Sequence, residues 1–215
     1  MIAARLVVAL SLIVATVSAD AGERIEMTVT RDREPIGTHS FSFVRDGGRF
    51  HVDTRVEIAV KFAFLTVYRM LKTSRETWEG DYVVAYDATI DDNGTVTTVT
   101  MRPDGKDLVI DGPAGRVKAP LGTMISGYWS ERTVGRKLLV DSSDGVLRRV
   151  SVAKGERETL RAGGSEIAVR RYRMTGDLTR ELWYGTDGRL VRMREIARDG
   201  SVIVTELTEL DTKAR

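Results

Sequence analysis

The chain has 215 residues, with 33 Lys or Arg against 31 Asp or Glu, so its formal net charge of +2 is a small residual spread over interspersed charges. That balance argues against a nucleic-acid partner, which would call for a basic field or stripe. Cysteine is absent, which excludes disulfides, thiolate metal ligation, a cysteine nucleophile and a lipidated cysteine at a cleavage site, so the fold must be held by burial alone.

Met1 to Arg5 forms a short positive start, and Leu6 to Val17 an apolar segment. Small residues follow, Val17-Ser18-Ala19 and then Ala19-Asp20-Ala21, which suit signal peptidase. The pattern predicts a signal peptide over residues 1–21, cleaved after Ala19 or Ala21, and a single mature domain over 22–215. A segment of about twelve apolar residues is too short to span a bilayer as a helix. The expected location is the periplasm or the exterior, and an integral membrane protein is not expected.

Turn signals then recur along the chain: Asp46-Gly47-Gly48, Asp92-Asn93-Gly94, Pro103-Asp104-Gly105, Asp111-Gly112, Asp144-Gly145, Gly163-Gly164, Asp187-Gly188 and Asp199-Gly200. Asp-Gly and Asn-Gly between alternating runs mark hairpins, because Gly accepts positive φ without a steric penalty. The runs between them predict strands near 24–31, 36–45, 49–64, 65–78, 82–91, 95–102, 106–111, 136–141, 146–153, 166–175, 180–185, 189–198 and 201–210. The clearest is Arg49 to Phe64. There Phe50, Val52, Thr54, Val56, Ile58, Val60, Phe62 and Phe64 alternate with polar or small residues. Period two places one set on a buried face. A strand of that length would run roughly 50 Å at ~3.3 Å per residue, so it must bend or twist.

Pro120 to Val134 lacks any period and predicts a loop or a single helical turn. No amphipathic helix is available to cover the apolar face. The expected fold is mainly β: one antiparallel, strongly curved sheet with long strands, a half-barrel or barrel-like meander. A membrane barrel is disfavoured by the 7% aromatic content and by Arg throughout the strands.

Chemistry-bearing motifs are sparse. His39 and His51 flank one hairpin, with His39 expected to oppose Thr54 or Arg55, and two histidines without a third ligand do not make a metal site. There is no Gly-x-Ser-x-Gly elbow. Glu76, Glu79 and Asp81 surround Trp78, yet Glu79-Gly80-Asp81 reads as a turn. Arg170, Arg171 and Arg173 read as a solvated strand face. No catalytic residue, metal ligand or cofactor is assigned.

Pro35-Ile-Gly-Thr-His39, Val60 to Tyr68, Arg75-Glu-Thr-Trp78, Gly127-Tyr-Trp-Ser130, Arg171 to Leu178 and Trp183-Tyr184 with Asp187-Gly-Arg-Leu190 occur in order over nearly the whole mature chain. In this the chain resembles the bacterial exported-protein family known as domain of unknown function 6134, whose pattern at the loop tends to read Ser-Tyr-Trp-Asn. The resemblance implies a β-rich exported domain and carries no activity. At the level of fold it is also similar to periplasmic lipoprotein carriers. Two functions stay open. One is a binding module whose apolar cleft is lined by Phe50, Val52, Val56, Ile58, Val60, Phe62 and Phe64 and gated by Tyr128 and Trp129, holding a lipid, an acyl chain or another hydrophobic ligand. The other is a structural or interaction module that docks an envelope protein partner and holds no ligand.

Overall fold

In the computed structural model, which describes residues 23–210, the alternating run becomes β3 (Arg49–Phe62). The predicted signal peptide and both cleavage positions lie outside the described residues. Strand β3 is flanked by β1 (Arg24–Arg31), β2 (Glu34–Asp46), β4 (Leu65–Glu79), β5 (Tyr82–Asp92), β6 (Thr95–Asp104), β7 (Asp107–Gly112) and β8 (Gly115–Pro120). After the irregular segment come β9 (Met124–Ile125), a short 3-10 helix (Glu131–Gly135), β10 (Leu138–Val140), β11 (Leu147–Val152), β12 (Glu156–Ala162), β13 (Ser165–Gly176), β14 (Arg180–Gly185), β15 (Leu190–Ile196) and β16 (Val202–Leu210).

These strands form one sheet in the order β8-β7-β6-β5-β4-β3-β2-β1-β16-β15-β14-β13-β11-β10-β9, with β12 pairing β13 off that path. Neighbours are antiparallel except β9 and β10. The sheet rolls up without closing into a barrel. Register shifts at Val29/Thr30, Val60/Lys61, Thr77/Trp78 and Trp183/Tyr184 mark β-bulges, which bend a strand and increase its twist. Gly37 serves the same bend, because a Cβ there would collide with the Glu57 carbonyl oxygen.

Three details depart from the sequence reading. The run predicted to reach Phe64 stops at Phe62, because the chain turns at Ala63, whose φ is 53°. His39 opposes Val56, one residue from the expected register, since Asp46 and Arg49 close a tight turn over Gly47-Gly48. Strands β8 and β12 were not expected, nor was the two-residue β9 within the segment expected to be irregular. Strands β8 and β12 offer the core little beyond Ala119 and Ala162, and their alternation, Val117 and Ala119 against Lys118, Leu160 and Ala162 against Arg161, spans too few residues to stand out.

The interior is filled from inward-facing rungs. Trp78, Tyr86, Phe41, Met27, Met101, Leu108 and Ile110 come from the first half of the sheet, and Leu139, Met174, Leu182, Tyr184 and Leu190 from the second. The irregular segment folds into this concavity as a plug. Tyr86 donates from its hydroxyl to the Ser142 carbonyl at 2.7 Å, and Tyr184 to the Tyr128 carbonyl at 3.0 Å. With no covering helix among the described residues, the sheet thus seals most of its own face.

Candidate functional site

The inner face of β2, β3 and β4 is not uniformly apolar. Pairing sets Val29, Gly37, Ile58 and Met70 on one rung, with Thr205 and Met193 continuing it across β16 and β15. The next rung carries Met27, His39, Val56 and Lys72. Two rungs further, Val52 opposes Glu76, and Glu76 opposes Tyr86. Period two therefore sends a lysine, a serine (Ser74) and a glutamate of β4 inward on the same face as Met70 and Trp78.

These polar residues meet the plug around a cavity of about 180 Å³. Lys72, Glu76, Tyr86, Ser126, Tyr128 and Ser142 form its buried side, whereas the apolar Ile58, Met70 and Ile203 are only half-buried. Val29 and Met193 add buried apolar walls, so the site sets apolar and polar side chains side by side.

Lys72 is buried, and its Nζ donates to Ser142 Oγ at 2.6 Å and Ser143 Oγ at 3.2 Å. An ammonium has three N–H donors, so one is left over among the described contacts. No described carboxylate lies within ion-pair distance of it. The acidic residues nearby are engaged elsewhere: Asp141 and Asp144 with Arg148, and Glu195 with Arg180 at 2.9 Å. Burial pushes the Lys72 ammonium down to about 8, against the opposing pull of Asp141.

Glu76 shows the converse. Burial pushes its carboxyl up to about 7, although Trp129 Nε1 (3.1 Å) and Trp78 Nε1 (3.0 Å) both donate to Oε2 and favour the carboxylate. Gly127 abuts the other oxygen, and a Cβ at Gly127 would collide with Oε1. This explains the glycine at the first position of the loop motif: the Glu76 carboxyl occupies the place of its side chain.

His39 and Tyr128 also line the cavity, and their Nε2 and hydroxyl are buried without a hydrogen-bond partner among the described residues. Burial, then the charges of Lys72 and Arg180, push the His39 imidazole down to about 3, so the ring is neutral at pH 7. Tyr128 has a φ of 58°, a left-handed conformation that costs a non-glycine residue about 1–3 kcal/mol, and the Arg180 guanidinium lies over its ring at 4.8 Å. Leaving buried polar atoms unmatched costs about 1–3 kcal/mol each. Strain and unmet bonding therefore converge on one place.

Of the residues expected to line a cleft, Val56, Ile58 and Tyr128 reach the cavity. Val52 is packed in the core. Phe50 stacks on Phe43 and meets Trp129 edge-on at 5.8 Å, and Trp129 also meets Trp78 at 5.5 Å. Trp129 is therefore part of an aromatic plug, and of the expected gate pair Tyr128 alone lines the cavity. Val60 is half-buried beyond the cavity, the Phe62 side chain lies outside what is described, and Phe64 is 92% exposed in the turn after β3. Sequence reasoning missed Lys72, His39, Ser126 and Ser142 as site residues, and it set Glu76 aside as part of a turn cluster. The legible signal was polar residues at inward positions of β4.

Fold and cavity together define a class: a rolled antiparallel sheet, plugged by its own loop, around a small interior space. Within that class the chain belongs to the family described as domain of unknown function (DUF6134), whose model matches residues 27–208. The fold is similar to the crystal structure of a beta-barrel-like protein of domain of unknown function DUF1849 from Brucella abortus. The TM-score is 0.61 at 11% identity, over 89% of this chain and 97% of that one, so the likeness is one of fold. No curated protein matches. Among the described residues no helix is long and apolar enough to cross a membrane, and no group of His, Cys, Asp and Glu is arranged to hold a metal ion.

Proposed function

We propose that this is an exported, periplasmic binding module that holds a hydrophobic ligand by a short acyl chain or by the head of a longer amphiphile. The observation that carries the reading is the mixed lining of the cavity, where the apolar Val56, Ile58 and Met70 stand beside the buried Lys72 and the buried Nε2 of His39. Its size sets a bound on the occupant. At about 180 Å³ it is close to the ~150 Å³ apolar cavity that accepts one benzene molecule, and below the ~300–1,000 Å³ of typical small-molecule sites. A whole lipid would not fit inside, whereas a head or a short chain would. The charged end of Lys72 argues against a purely hydrocarbon occupant, since an apolar guest would leave its third donor unmatched.

A second reading, an envelope interaction module, is favoured by the hairpin joining β3 and β4, where Phe64, Leu65 and Val67 are exposed together. Native mass spectrometry of protein isolated without denaturation from its own cell envelope separates the two. The binding reading predicts a small amphiphilic adduct at high occupancy. A clean apo mass would contradict it, and a stoichiometric protein partner without any adduct would favour the interaction module.

A further inference from the structure

Lys72 is a buried cation whose nearest partners are two neutral hydroxyls. Desolvating an ammonium without an anionic partner is unfavourable, and natural interiors pair such a group or use it. Around it the carboxylates of Asp141, Asp144 and Glu195 are held by arginines, and Glu76 is held by two indoles. Among the described residues, Lys72 is therefore a cation at the cavity without a carboxylate partner, while Arg180 beside it is paired with Glu195. Independently, His39 Nε2 and the Tyr128 hydroxyl, from β2 and from the plug, are buried at the same cavity with no partner among the described residues. Serine hydroxyls at 126, 142 and 143 complete a set of neutral groups that can donate to an oxygen.

We infer that the cavity selects a ligand with an anionic head of carboxylate type. Its oxygens would sit on the Lys72 ammonium and take hydrogen bonds from Tyr128 and from His39 in its Nε2–H tautomer, and its chain would run along Val56, Ile58 and Met70. This rests on the binding reading above and names the chemistry of its polar end. A charge-assisted hydrogen bond from a buried lysine distinguishes carboxylate from alcohol by roughly 10- to 100-fold in affinity.

The test is calorimetric titration of the intact protein at pH 7 with octanoate, 1-octanol and acetate. Both the wild type and Lys72→Met are titrated, the variant keeping the stem and losing the charge. The inference predicts that octanoate binds the wild type at least tenfold more tightly than 1-octanol, that acetate binds far more weakly, and that Lys72→Met erases the preference while retaining 1-octanol. Equal affinity of the wild type for octanoate and 1-octanol would overturn the inference and leave the binding reading standing. Acetate binding as well as octanoate would uphold the anion site and overturn the acyl reading. No binding of any of the three would overturn both. The wild-type comparison decides the matter even if the variant does not fold.

Discussion

Trp78→Ala is expected to lower the unfolding free energy by roughly 3–5 kcal/mol, the range for truncating a large buried aromatic. Trp78 is 2% exposed, packs edge-on against Trp129, and donates its indole N–H to Glu76. The truncation opens a void and takes away one of the two indole donors that hold a buried carboxyl. Since domains are typically stable by about 5–15 kcal/mol, the loss would remove a large share of the total. Urea unfolding followed by circular dichroism measures it. Phe64→Ala is the internal contrast: at 92% exposure it should change stability by no more than about 0.5 kcal/mol. Similar losses in the two variants would contradict the assignment of core and turn.

Lys72→Met is expected to do the opposite and stabilise the protein near neutral pH. The ammonium is pushed from 10.5 to about 8, chiefly by burial, which corresponds to a cost of about 3 kcal/mol for keeping it charged in the fold. Below pH 8 the lysine is protonated in both folded and unfolded states, so the cost is fully present. Between pH 8 and about 10 the unfolded chain holds the proton and the folded one does not, so stability rises with pH. Asp141, Arg180, Glu76 and Asp144 also act on this ammonium, the acidic groups raising it and Arg180 lowering it, and burial outweighs them. Losing the bonds to Ser142 and Ser143 offsets part of the gain, so the net expectation is a gain of about 1–3 kcal/mol at pH 7 and a flat profile from pH 8 to 10. Thermal melts of both proteins across that window test it. A residue whose removal stabilises the fold is a mark of function retained against stability. A destabilised variant with an unchanged pH profile would make Lys72 an ordinary structural residue.

The architecture was legible because alternation survives wherever a strand has one buried face. From Phe50 to Ile58 every even residue turned out to face inward, and the turn glycines fell at hairpin ends. Strands β8 and β12 escaped because each is short and its alternation rests on only two apolar residues, one of them an alanine. The site was less visible for a different reason. Its groups come from places scattered along the sequence, among them β2, β3, β4, β5, Ser126–Tyr128 and Asp141–Ser143, and only the roll of the sheet brings them together. Even so, Lys72 and Glu76 share parity with Met70 and Trp78 in β4, and a charge at an inward position was the available clue. The Tyr128-Trp129 pair was expected to act together as a gate, but adjacent residues in irregular backbone need not face the same way. The φ of 58° at Tyr128 leaves that side chain at the cavity while Trp129 joins the aromatic cluster with Phe43 and Phe50.

If the binding reading holds, the space of about 180 Å³ among Lys72, His39 and Tyr128 is a ligand site and not a packing gap. A crystal structure of the protein soaked with octanoate decides between the two. Continuous density is expected in that space, with the carboxylate at the Lys72 ammonium and the chain against Ile58 and Met70. A space closed by the side chains of Met70 and Met193, or one that stays free of octanoate while Lys72 remains bonded to Ser142 and Ser143, would contradict it.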